Sequence, residues 1–162
     1  MASLLVSDPL WAREITVIQM PDAVRILTDE GYLPLQSSGK AAWTCRDVEV
    51  RLKKSGKSLS VLVTSPTLAL KEVQLSWAFA APREVKVLGD AWERTYADVS
   101  FQRLNAARKM PWYCVEYSPE GTVCFGVKTG CSAFCYWRVD RNKLELNLDT
   151  RNGGKGVLLG DR

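Results

Sequence analysis

Histidine is absent from all 162 residues. Without it the chain has neither the usual base of Ser-His-Asp and Cys-His nucleophile systems nor the imidazole ligands of many zinc sites. Long apolar runs are missing too. No stretch approaches the roughly 18 apolar residues of a membrane-spanning helix. The start, Met1-Ala2-Ser3-Leu4-Leu5-Val6, lacks the basic residues of a secretory signal, and Asp8-Pro9 interrupts it. The expectation is a soluble cytoplasmic protein without a membrane partner. Charge of one sign is also scarce. Twenty-two basic and 18 acidic residues leave a net charge of +4, with no basic run of five. That pattern argues against a nucleic-acid partner. Phe125-Gly126-Val127-Lys128-Thr129-Gly130 lacks the glycine spacing of a phosphate-binding P-loop.

Cysteine is present in an odd number: Cys45, Cys114, Cys124, Cys131 and Cys135. An odd count without a signal argues against a secreted disulfide framework. The last four follow a C-x9-C-x6-C-x3-C spacing with no C-x-x-C pair. Zinc ribbons need closely paired ligands, so the four read as small apolar side chains on strands, and no metal or other cofactor is expected.

What the chain has in quantity is β pattern. Val48, Val50 and Leu52 alternate with polar residues, as do Leu59, Val61 and Val63. A polar turn at 54–57 joins them into a hairpin with one buried face. A second hairpin spans 111–127 around Ser118-Pro119-Glu120-Gly121, with proline and glycine where a type I turn prefers them. A third spans 134–149, with Leu144, Leu146 and Leu148 on one face. Shorter strands are expected at 14–19, 23–27 and 32–35, and one long β run at 68–80. No segment has convincing helical periodicity. The expected fold is therefore all-β: one antiparallel β-sandwich domain over residues 1–162. Apolar residues form 46% of the chain, enough for a core without disulfides. Of the six tryptophans, Trp43, Trp77, Trp92, Trp112 and Trp137 mostly fall in strand-like runs, which reads as core.

Two blocks carry a family resemblance. One is Gly89-Asp90-Ala91-Trp92-Glu93-Arg94 with Tyr96 and Asp98. The other is the stretch 110–162, including Phe125-Gly126-Val127-Lys128-Thr129-Gly130 and Ala133-Phe134-Cys135-Tyr136-Trp137. Together, over 88–162, they resemble the N-terminal β-sandwich region of family-36 glycoside hydrolases, the α-galactosidase and raffinose-synthase-like enzymes. Ala97 and Phe101 depart from the family pattern, which often has glycine and tryptophan there. The resemblance implies a super-sandwich of galactose-mutarotase type that precedes a catalytic (β/α)8 barrel absent from this sequence. The nucleophile of that family lies in a Lys-x-Asp motif on the barrel. No Lys-x-Asp occurs here, so no catalytic residue carries over and this segment lacks the chemistry of its parent hydrolase.

The implied role is that of a non-catalytic accessory domain shaping the active-site rim or an oligomer interface. Its partners would be the barrel, galactosides or other oligosaccharides, and further copies of the full-length protein. Asp90, Trp92, Glu93, Arg94 and Asp98 are the rim or interface candidates. Trp92 and Arg94 would project toward the active-site mouth, or the four charged residues would form ion pairs that fix the domain to the barrel. Charged residues this dense are costly to bury unpaired, so an exposed loop is expected, with Trp92 the one tryptophan reaching solvent away from a strand face. The resemblance also implies an unfinished edge near Val157. The alternative is a stand-alone carbohydrate-binding sandwich, in which exposed aromatic rings present flat apolar faces to sugars.

Overall fold

The computed structural model describes residues 19–90, 99–128 and 130–160. It is all-β, as the alternation predicts, with fifteen strands and no helix among the described residues. The strands are β1 (Ala23–Thr28), β2 (Gly31–Pro34), β3 (Gln36–Gly39), β4 (Ala42–Cys45), β5 (Val48–Ser55), β6 (Ser58–Leu70), β7 (Glu72–Ala78), β8 (Lys86–Gly89), β9 (Gln102–Arg103), β10 (Met110–Pro111), β11 (Tyr113–Ser118), β12 (Gly121–Gly126), β13 (Phe134–Val139), β14 (Lys143–Asp149) and β15 (Val157–Leu159).

They form three sheets. One has six strands in the order β10-β13-β14-β7-β1-β2, one has four in the order β12-β11-β8-β9, and one has five in the order β15-β6-β5-β4-β3. The pairings are antiparallel throughout. Apolar side chains from all three sheets meet in one cluster. The six-stranded sheet supplies Ile26, Leu75, Trp77 and Trp137, the five-stranded sheet Val50 and Leu70, and the four-stranded sheet Val87 and Phe125. A shared core of this kind is what holds a sandwich together.

The three hairpins lie where the pattern puts them. β5 and β6 pair from Glu49↔Thr64 to Ser55↔Ser58, and Val48, Val50 and Leu52 are buried. β11 and β12 turn through Pro119 and Glu120. There Ser118 Oγ accepts a hydrogen bond from the Glu120 amide at 3.2 Å, and Gly121 takes a φ of 139°. The same device closes β1 to β2, where Thr28 Oγ1 accepts from the Glu30 amide at 3.1 Å and Gly31 has a φ of 109°. Glycine is the residue that adopts such angles without steric cost.

The run at 68–80 differs from expectation. It is two strands in two sheets, with the break at Lys71. The Lys71 amide donates to Leu27 O at 2.8 Å, and Lys71 O accepts from the Thr150 amide at 3.1 Å. Partners from β1 and from the end of β14 thus bend the chain where no proline or glycine marks a break. Of the strand expected at 14–19 only Gln19 is described, and it is not in a strand. Val157–Leu159 is an edge strand on β6, with a register shift between Val157 and Leu159. The outermost described strands of the six-stranded sheet, β2 and β10, are short, and each contains a proline, Pro34 or Pro111. No helix of the described residues is long and apolar enough to cross a membrane.

Candidate functional site

Alternation gives the six-stranded sheet two unlike faces. On β7, Val73, Leu75 and Trp77 enter the core, while Glu72, Gln74 and Ser76 stand on the other face. β13 does the same with Cys135, Trp137 and Val139 against Phe134, Tyr136 and Arg138. β14 does so with Leu144 and Leu146 against Glu145 and Asn147. The second face is polar, yet Glu72, Gln74, Tyr136, Glu145 and Asn147 are all buried on it. Buried polar groups are costly unless paired, and Glu72, Gln74, Tyr136 and Asn147 are paired across strands, Glu145 within its own. Tyr32 and Tyr136 each donate a phenol hydrogen bond to Glu72, at 2.8 Å to Oε1 and 2.7 Å to Oε2. Gln74 Oε1 accepts from Arg25 Nε at 2.9 Å, and Gln74 Nε2 donates to Asn147 Oδ1 at 2.8 Å. Glu145 is held by the Lys143 ammonium at 2.7 Å.

This network makes stability sensitive to alkali. Burial, and then the hydrogen bond to the Glu72 carboxylate, push the Tyr32 phenol up to about 12 and raise that of Tyr136 as well. A folded-state value above the unfolded one favours the folded state at all pH below the unfolded value. The contribution is therefore complete below pH 10.0 and is lost as the pH rises toward about 12. Urea midpoints should fall over that window, and fall less in a Tyr32→Phe/Tyr136→Phe variant. Burial also pushes the Cys114 and Cys135 thiols up to about 12, but these act in both proteins and cancel in the comparison. Identical pH profiles for the two proteins would remove the phenols from the argument.

At the β10 end of this face lies an open groove of about 770 Å³, lined by Trp112, Ser132, Phe134, Asp149 and Arg151 among others. Trp112 sits between β10 and β11 with a φ of 64°, a left-handed conformation rare for a bulky residue. Three hydrogen bonds hold it there. Its amide donates to Cys135 O at 3.0 Å, and its carbonyl accepts from the Val127 amide at 2.9 Å and from Trp137 Nε1 at 3.3 Å. The indole is 40% exposed and meets Phe134 edge-on, with ring centroids 5.3 Å apart at 89°. Across the groove Arg151 chelates Asp149, with Nε 2.9 Å from Oδ1. That hydrogen bonding holds the Asp149 carboxyl below its usual range. Cys131 lines the groove, and its Sγ lies 3.7 Å from that of the buried Cys135, both as free thiols. Among the described residues no three His, Cys, Asp or Glu side chains are grouped to hold a metal ion.

Of the rim candidates read from the sequence, one is described. Trp92, Glu93, Arg94 and Asp98 lie outside the described residues. Asp90 is described and is buried, at 7% exposure, rather than on an open loop. The reason is its root. Gly89 still pairs with Cys114 as the last residue of β8, and Met110 packs where a side chain on Gly89 would stand. Arg108 adds a guanidinium hydrogen bond to Val87 O at 3.3 Å.

Trp43, Trp77 and Trp137 are core, as read from the sequence. Trp112 is not: it reaches solvent away from a strand face, which corrects the expectation that Trp92 would be the one tryptophan to do so, and Trp92 itself lies outside the described residues. Alternation puts Trp112 on the inward side with Met110 and Cys114, which are buried. The positive φ turns it outward, and no residue in Pro111-Trp112-Tyr113 announces that angle.

The fold and this groove define an antiparallel β-sandwich with an aromatic, charge-flanked platform at one end of a polar sheet face. No protein family, curated protein or solved structure matches the chain. The likeness to family-36 glycoside hydrolases therefore rests on the short motifs alone.

Proposed function

We propose that this domain is a non-catalytic saccharide-binding module whose platform is Trp112. The observation that carries the reading is the backbone of that residue. A tryptophan in a sparsely populated conformation, held there by three hydrogen bonds and left with an exposed ring, is arranged for something other than packing. An indole face suits the C–H surface of a sugar, and a carboxylate–guanidinium pair beside it suits the hydroxyls. The groove is open rather than enclosed, which fits a chain of sugars passing across it. The family-36 resemblance adds a partner to the same proposal. A catalytic (β/α)8 barrel of α-galactosidase type would stand beside this super-sandwich and receive the galactosides it holds.

The test is calorimetry and affinity electrophoresis with a panel of neutral and acidic oligosaccharides, galactosides included. Trp112→Ala should weaken binding by about tenfold or more, as loss of a central tryptophan contact does. Its stability should change by no more than about 1 kcal/mol, since the ring is off the core. Binding that is unchanged in Trp112→Ala would end the reading. A panel in which galactosides are the non-binders would remove the barrel partnership.

A further inference from the structure

The groove does not stop at Phe134. Along the outer face of β13 follow Tyr136 and Arg138, each two residues on and so about 7 Å further along the strand. The Phe134 and Tyr136 ring centroids are 6.3 Å apart. The Tyr136 ring is roofed by two cations: Lys109 Nζ lies 4.7 Å from its centroid and the Arg138 guanidinium 5.6 Å. The other cations of this face are answered. Arg151 is paired with Asp149, and Arg25 and Lys143 share Glu145. Glu72 is engaged below by the two phenols. Among the described residues Lys109 and Arg138 have no carboxylate at ion-pair distance, and Arg138 Nε is buried without a hydrogen-bond partner. A guanidinium fixed against an aromatic ring, with no carboxylate at ion-pair distance, is preorganised to present its terminal nitrogens to an oxyanion. The tyrosine supports the positive charge through its π face without neutralising it.

Resting on the saccharide-binding reading, we infer that the preferred ligand is an anionic saccharide. One sugar lies against Trp112 and Phe134, and the acidic group of its neighbour is held between Lys109 and Arg138. The chemistry required is an oxyanion carried on a pyranose, which a uronate carboxylate or a sulfate ester both provide.

The experiment compares three tetramers by calorimetry on the whole chain. They are α-1,4-linked galacturonate, the neutral α-1,4-linked galactose tetramer, and the galactose tetramer bearing 6-sulfate. The first two differ only in a carboxylate or a hydroxymethyl group at C6. An acidic tetramer should bind about tenfold or more tighter than the neutral one, the scale of one charge-assisted hydrogen bond. The stronger of the two acidic arms identifies the oxyanion. Arg138→Gln and Lys109→Gln should each bring its affinity close to that of the neutral tetramer and leave the neutral affinity unchanged. Lys53→Gln, on β5 in the five-stranded sheet, removes the same net charge elsewhere and should change nothing.

Equal affinity for neutral and acidic tetramers, with binding still lost in Trp112→Ala, would overturn this inference and leave the saccharide module standing. An acidic preference reduced equally by Lys53→Gln would show attraction to overall positive charge and would also overturn it. Binding of none of the three would overturn this inference, and the wider oligosaccharide panel would then decide the saccharide reading. Thermal melts of each variant confirm that a lost affinity is not a lost fold.

Discussion

Trp137→Ala should cost the domain about 3–5 kcal/mol, the range for deleting a buried aromatic side chain. Trp137 is 2% exposed on the core face of β13, opposite Leu146 on one neighbouring strand and Met110 on the other. Its ring leans on Phe125 at 5.8 Å, which joins the six-stranded sheet to the four-stranded one. Alanine would leave a void among groups fixed by two sheets, with little freedom to close it. Domains are typically stable by only about 5–15 kcal/mol, so this one change removes a large fraction of the margin. A second effect comes through Trp137 Nε1, which donates to Trp112 O. Loss of that donor frees one of the three restraints on the strained residue, so saccharide affinity should fall along with stability. Urea denaturation measures the first effect and calorimetry the second. A loss below about 1 kcal/mol, the range of surface substitutions, would show that the two sheets do not share a core at this point.

Gly89→Ala should be the most damaging of the simple glycine substitutions, at about 1–3 kcal/mol, the cost of forcing atoms into a filled core. The added Cβ would lie 2.3 Å from Met110 Cγ and 2.4 Å from Met110 Cβ. The second distance matters more, because a Cβ moves only with its backbone. Met110 is 1% exposed and paired with Trp137, so its backbone is held. Gly126→Ala provides the control. It too is a strand glycine, and its added Cβ would meet nothing within 4 Å. Its melting temperature should stay near that of the parent while that of Gly89→Ala falls. Equal melting temperatures would mean that β8 and β10 are not in close contact.

Gly89 also shows what a sequence conveys and what it withholds. Its place at the head of the Gly89-Asp90-Ala91-Trp92 block invites a reading as the start of a flexible loop. In the fold it is the end of a strand, and its lack of a side chain serves a close approach by Met110. Spacing along the chain cannot reveal that approach, since the partner is 21 residues away. The hairpins at 48–63, 113–126 and 134–149 were legible because alternation and turn chemistry are local. The break at Lys71 was not, because backbone groups of Leu27 and Thr150 impose it. The same holds for the polar face. Glu72 stands in an apolar run, and its two phenol partners are 40 and 64 residues distant. The candidate site was least legible of all. Alternation predicts the wrong side for Trp112, and a single backbone angle decides it.

The two prolines at the margins of the six-stranded sheet bear on how copies of this protein meet. In β2 the Leu35 amide points inward, donating to Val24 O at 2.9 Å, so the nitrogen of Pro34 faces away from the sheet. In β10 the Trp112 amide points inward to Cys135 O, so the nitrogen of Pro111 faces away as well. Each margin thus lacks a donor at the position where an incoming strand would need one. Among the described residues both borders of this sheet are blunted in this way, which disfavours adding a strand from a neighbour, the first step toward fibrils and domain-swapped chains. It can be concentrated without templating its own aggregation through these borders, and self-association through them is disfavoured. Copies that meet at this sheet would do so through side chains on its faces, with their partners chosen by shape and charge rather than by the indifferent hydrogen bonding of the backbone.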